Sequence, residues 1–100
     1  MKPIYYETHI TIGGDNLDIE MVKVLAKGHG YRCSSFTNGP DYERPKETIL
    51  TAKSLDLERL EANDAKVLNW LEIYKIKVLR YKIEAAIKDT KPLDQHKGFL

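Results

Sequence analysis

One hundred residues make about one domain, which leaves no room for a second lobe. Sixteen Lys and Arg against fifteen Asp and Glu give a net charge of +1, too little to draw the whole chain to nucleic acid or an anionic membrane. The single cysteine, Cys33, excludes an internal disulfide and is too few for a structural zinc site. With no apolar run near the ~18 residues of a membrane span, the expectation is a soluble, cytoplasmic protein.

Residues 3–12 alternate aromatic and β-branched with polar side chains, which predicts a strand ended by the Gly-Gly-Asp-Asn that follows. A helix comes next, capped by Asp15 or Asn16, with Asp18 and Glu20 at its positive end. Its Ile19, Val22, Leu25 and Ala26 recur at helical spacing until Gly28 and Gly30 stop it. "YRCSSFT" reads as a short second strand, with Cys33 as a small, partly buried residue of it. "NGPDYERPK" reads as a loop, because its two prolines oppose regular pairing, and "ETILTAKS", residues 47–54, as the third strand.

Leu57, Leu60, Val67, Leu68 and Leu71 follow a helical rule, so residues 57–71 form the second helix. From Lys75 the rhythm changes to period two, with Ile76, Val78, Arg80, Lys82 and Glu84 on one side and Lys77, Leu79, Tyr81, Ile83 and Ala85 on the other. Residues 75–87 are therefore a last strand, the competing reading being a helix that simply continues. The order β-α-β-β-α-β predicts an α+β, ferredoxin-like sandwich in which two helices cover one face of a four-stranded antiparallel sheet. The first and last strands are expected as central neighbours, with the first also beside the third. The chain is one domain, 1–100, and residues 90–100 form a flexible tail or a lid whose Phe99 and Leu100 dock over the bare sheet face.

Alternation then places chemistry. On the first strand Tyr6, Thr8, Ile10 and Ile12 form the core side, so Tyr5, Glu7, His9 and Thr11 face the other way. On the last strand Leu79, Tyr81, Ile83 and Ala85 are the better core set, which sends Arg80, Lys82 and Glu84 to the same helix-free face. The third strand adds Ile49, Thr51 and Lys53, and the second Arg32 and Ser34. His9 is the group able to exchange a proton near neutrality, oriented by Glu7 or Glu84, and these three are the candidate catalytic residues. Thr11, Arg80, Lys82 and Lys53 are the candidate contacts for an anion, with exposed Tyr5 and Ile49 as apolar walls. The same row also has a purely structural reading: open sheet faces are polar, and opposite charges across strands stabilise by about 0.2–1 kcal/mol per pair.

"HITI", His9 to Ile12, resembles the H-x-T/S-x element of the 2H phosphoesterase superfamily. Members act on 2′,3′-cyclic phosphate and related RNA and nucleotide bonds. The resemblance implies an acid/base role for His9 and a phosphate contact for Thr11. That family pairs two such motifs in a two-lobed fold, whereas neither "HGYR" from His29 nor "HKGF" from His96 supplies the second.

Other signals are weaker. "GGDN" lacks the Gly-Lys-Ser/Thr ending of a phosphate-binding loop and reads as a turn, and His9, His29 and His96 lack zinc spacing, so no cofactor or metal is implied. The serines of "YRCSSF" read as strand residues and Trp70 as a packing residue. The nearly balanced charge and the lack of aromatic-rich central strands argue against nucleic acid. The expected function is an open-sheet site for a small anionic or phosphorylated molecule, with acid/base phosphoester chemistry as its reaction. The alternative is a non-enzymatic interaction or homodimerisation module using the same face.

Overall fold

A computed structural model describes residues 3–13, 18–36, 47–88 and 99–100. The elements run β1 (Tyr5–Gly13), α1 (Ile19–Gly28), β2 (Arg32–Phe36), β3 (Glu47–Ser54), α2 (Leu57–Ile73) and β4 (Lys77–Ala86). The fold is the ferredoxin-like α+β sandwich expected from the element order, with an antiparallel sheet of four strands ordered β2-β3-β1-β4. One expectation needs correction: β1 and β4 are neighbours, but β1 and β3 hold the centre and β4 lies at an edge.

Both helices end in the same backbone motif, and that motif aims the residues that follow. In α1 the Gly30 N–H donates to Lys27 O and the Tyr31 N–H to Ala26 O, with Gly30 in the left-handed region at φ 85°. This is a Schellman stop, and it turns Tyr31 back under the helix, where it is buried. In α2 the Lys75 N–H donates to Glu72 O and the Ile76 N–H to Leu71 O, with Lys75 at φ 57° where glycine is usual. This stop resolves the period change at Lys75 in favour of a strand. Ile76 folds back against the core and the chain emerges extended as β4.

The helix starts are capped by side chains. Asp56 accepts from the N–H groups of Glu58 and Arg59 at the head of α2. Asp18, not Asp15 or Asn16, caps α1 by accepting from the Met21 N–H. The predicted turn at residues 14–16, the loop at 38–46 and the tail at 90–98 lie outside the described residues.

The core sits between sheet and helices. Ile10, Ile12, Leu50 and Ala52 from the central strands meet Val22, Ala26, Leu60, Val67 and Leu71. β4 departs from the predicted core set. Ile83 is only half-buried and Ala85 exposed, while Leu79 and Tyr81 remain 46% and 41% exposed. Tyr81, Ile83 and Ala85 point to the helix side as expected, but an edge strand has a neighbour on one side only, and Leu79 does not follow them. A register shift at Thr11/Ile12 lets Val78 face Ile12 and leaves Leu79 as the extra residue of a bulge, against Gly13. A Cβ at Gly13 would stand 2.8 Å from Leu79 Cδ1, so glycine makes that approach possible.

Candidate functional site

The strand registers bring the predicted residues into a grid on the face away from the helices. Glu7 lies opposite Lys53 on one side and Glu84 on the other; His9 lies between Thr51 and Lys82; Thr11 lies between Ile49 and Arg80. On β2, Arg32 pairs with Thr51 and Ser34 with Ile49, extending two of these rows. Directly opposite residues share a face, so every predicted site residue is on the helix-free side.

Side-chain geometry makes His9 the hub. Its Nε2 stands 2.7 Å from Glu7 Oε1 and 4.0 Å from Glu84 Oε2, and its side chain is 23% exposed. An Nε2–H donating to Glu7 selects one tautomer, and Nδ1 then has no ion-pair partner among the described residues. The carboxylates are themselves held by lysines, Glu7 by Lys53 at 3.8 Å and Glu84 by Lys82 at 2.6 Å. The Lys82 ammonium holds the Glu84 carboxyl below the usual carboxylate range, and His9 and Arg80 act in the same direction. Arg80 makes no ion pair among the described residues and is exposed. Charge on the grid is thus compensated around Glu7 and Glu84, while Arg80, Thr11 and Thr51 end it with hydrogen-bonding capacity to spare. Among the described residues no group of His, Cys, Asp and Glu is arranged to hold a metal ion. The carboxylates around His9 have lysines as partners.

Tyr5 corrects the expectation of an exposed wall: it is 8% exposed. The Phe99 ring covers it edge-on with centroids 5.6 Å apart, and Lys53 Nζ stands 5.5 Å from the centre of the Tyr5 ring. Phe99 bridges Lys53 in parallel, and the Leu100 N–H donates to Lys53 O at 2.6 Å. β2 pairs with β3 only as far as Thr51, so these two residues occupy the stretch of β3 that β2 leaves free. Leu100 falls on the helix side, against Gly30, where a Cβ would come within 2.5 Å of Leu100 Cδ2. There it joins Gly28, His29, Arg59, Asn63 and Lys66 around a shallow cleft of about 400 Å³.

A second polar cluster, absent from the sequence expectations, lies on the helix side. Asp64 of α2 is fully buried. Its Oδ1 accepts from the Tyr31 hydroxyl at 2.5 Å, and its Oδ2 from Thr8 at 2.6 Å and Tyr81 at 2.8 Å. No cation pairs with it among the described residues, so three hydroxyl donors replace the water it gave up. Burial pushes the Tyr31 and Tyr81 phenols well above the ordinary tyrosine value, and the hydrogen bonds to Asp64 add to that shift. Both phenols are therefore fixed as donors rather than bases. The signal in the sequence was position: Asp64 occupies the phase of Leu60, Val67 and Leu71, the apolar stripe of α2, where a charge requires partners.

Fold and site together define a small α+β protein with an open, non-barrel sheet, a polar helix-free face and a hydroxyl-bound carboxylate beneath the helices. Among the described residues no helix is long and apolar enough to cross a membrane. Comparison of the chain with protein-family models, curated proteins and solved structures gives no match.

Proposed function

We propose that the helix-free face binds a small anionic, phosphate-bearing molecule over Thr11, Thr51 and His9, and that His9 transfers a proton in phosphoester chemistry there. The observation that carries this reading is the placement of His9. Its Nε2 is tied to Glu7 at 2.7 Å, and Lys82 and Arg80 stand opposite His9 and Thr11 on the next strand. Arg80 supplies a planar donor fork and Lys82 a point charge, the two complements of a phosphate group. In hydrolysis of a cyclic phosphodiester Nδ1 takes a proton from the attacking water as its oxygen bonds to phosphorus, Glu7 and Glu84 stabilise the imidazolium that forms, and the proton passes to the ribose oxygen whose bond to phosphorus breaks. The His-x-Thr order that resembles the 2H phosphoesterases supports the assignment of His9 and Thr11 to these roles.

The test is chemical-shift titration of the isotope-labelled chain, first with inorganic phosphate and then with a 2′,3′-cyclic nucleotide. Shifts concentrated at His9, Thr11, Thr51, Arg80 and Lys82, weakened by Arg80→Ala, are expected. Hydrolysis of the cyclic nucleotide should fall roughly 100-fold or more in His9→Gln. No site-specific shift at millimolar phosphate would remove the binding assignment. Binding without turnover would reduce the face to an anion receptor.

A further inference from the structure

β4 is joined to the sheet through β1 alone, and among the described residues its other edge has no strand beside it. The Ile4 N–H donates to Ala86 O at 2.6 Å, so Ala86 directs its backbone groups toward β1. By strand alternation Tyr81, Ile83 and Ala85 present theirs to the open edge. Along the same edge Val78 and Tyr81 on the helix side are 36% and 41% exposed, Leu79 at the bulge 46%, and Ile87 just beyond the strand 53%. A long edge with exposed apolar side chains is a template for another strand unless its charges repel the newcomer.

The charges of β4 do the opposite for one particular newcomer. We propose that β4 pairs antiparallel with β4 of a second copy of this chain, centred on Ile83, joining two four-stranded sheets into one continuous sheet. Charge selects that centre. Pairing about Ile83 puts Lys82 opposite Glu84 of the second copy twice over and sets no like charges opposite each other. Pairing about Tyr81 would set Arg80 against Lys82; pairing about Lys82 or Glu84 would set each against its own copy. In the same register Tyr81 meets Ala85 of the second copy and Ile83 meets itself, so these apolar side chains gain a cross-strand neighbour on the open side. The Lys82–Glu84 contact of 2.6 Å within one copy shows that these side chains already lie within reach along this edge. A dimer through the edge, unlike one through the sheet face, leaves the face over His9 and Thr11 uncovered in both copies while engaging Lys82 and Glu84 at its margin, and the inference rests on the edge and its charges, not on the proposed ligand.

Sedimentation equilibrium of the full chain and amide exchange followed by NMR test it. A concentration-dependent dimer is expected, with the amides of Tyr81, Ile83 and Ala85 protected at high concentration and exchanging faster on dilution. Ala85→Pro removes an outward N–H without touching the β1 ladder and should leave a folded monomer. Glu84→Lys should weaken the dimer roughly tenfold or more, and adding Lys82→Glu to it should restore association by exchanging the two charges. The charge exchange decides the matter even if the proline variant does not fold. A monomer at millimolar concentration, or a dimer whose affinity ignores Glu84→Lys, would overturn the proposal.

Discussion

The two polar clusters lie on opposite sides of one sheet and solve opposite problems. The His9 grid is built of full charges left partly in water, each carboxylate facing a lysine or the imidazole. The Asp64 cluster is a single carboxylate withdrawn from water and held by three neutral hydroxyls. Exposed ion pairs contribute about 0–1 kcal/mol each and exchange partners easily, which suits the ligand-binding role proposed above for this face. A buried carboxylate with its donors removed is far more costly, which suits a part that fixes how helices sit on strands. Thr8 of β1, Tyr31 after α1, Asp64 of α2 and Tyr81 of β4 tie both layers together at one point.

The largest effect expected from this contrast is at Asp64. Asp64→Ala leaves three hydroxyls beneath α2 without their acceptor and should destabilise the fold by about 3 kcal/mol or more in urea unfolding. A loss below about 1 kcal/mol would place Asp64 with the surface ion pairs and erase the distinction.

Next comes Tyr31→Phe, which keeps the ring and removes one donor to a carboxylate, at about 1.5–3 kcal/mol. It also carries a pH signature. The folded-state values of Tyr31 and Tyr81 are raised, so the unfolded chain releases these protons first. Their contribution is present in full below the unfolded tyrosine value of about 10 and is lost progressively as pH rises above it. Stability of the unmodified chain should therefore fall more steeply than that of Tyr31→Phe between about pH 10 and 11.5. Parallel curves would show that the phenol is not held neutral by burial and Asp64.

His9→Gln should change stability by only about 0.5 kcal/mol, because the Ile10 and Ile12 packing is on the other side of β1. Phosphate binding followed on the same samples is expected to weaken, and a large destabilisation with unchanged binding would make His9 structural. The smallest effect is acidic. Glu84 is held in its charged form by Lys82, so its contribution is present above the ordinary carboxylate value of about 4.3 and disappears as pH falls through the lowered folded value. Glu84→Gln should flatten that acid limb slightly and make stability less sensitive to salt, since the pair it removes is exposed and screened. Salt should leave the Asp64 cluster unmoved, and equal salt sensitivity in Asp64→Ala and Glu84→Gln would contradict the contrast.

The His9 grid was legible in the sequence because alternation is a local property. Ile10 and Ile12 commit β1 to the core, and Glu7, His9 and Thr11 then have only the other face. Ile49, Thr51 and Lys53 followed from the same rule on β3, as did Arg32 and Ser34 on β2. The element order was legible too, since a period of two cannot hide within a helical period of 3.6 for long, but β4 begins at Lys77 rather than Lys75, and Ile76 and Val78 lie on the core side instead of with Arg80.

What tertiary structure alone decided is how these local patterns meet. Nothing in residues 77–86 says that β4 will be an edge; that depends on β3 taking the other side of β1. Its helix-side residues are half-exposed for that reason, although their alternation is that of a core strand. Phe99 settles on Tyr5 because β2 ends short of Lys53, a length mismatch visible only once the two strands are paired. Asp64 announced itself by standing in an apolar stripe, but its donors are 56, 33 and 17 residues away along the chain. Side-chain period records which way each residue faces; which distant hydroxyl it finds there is settled by packing the two layers together.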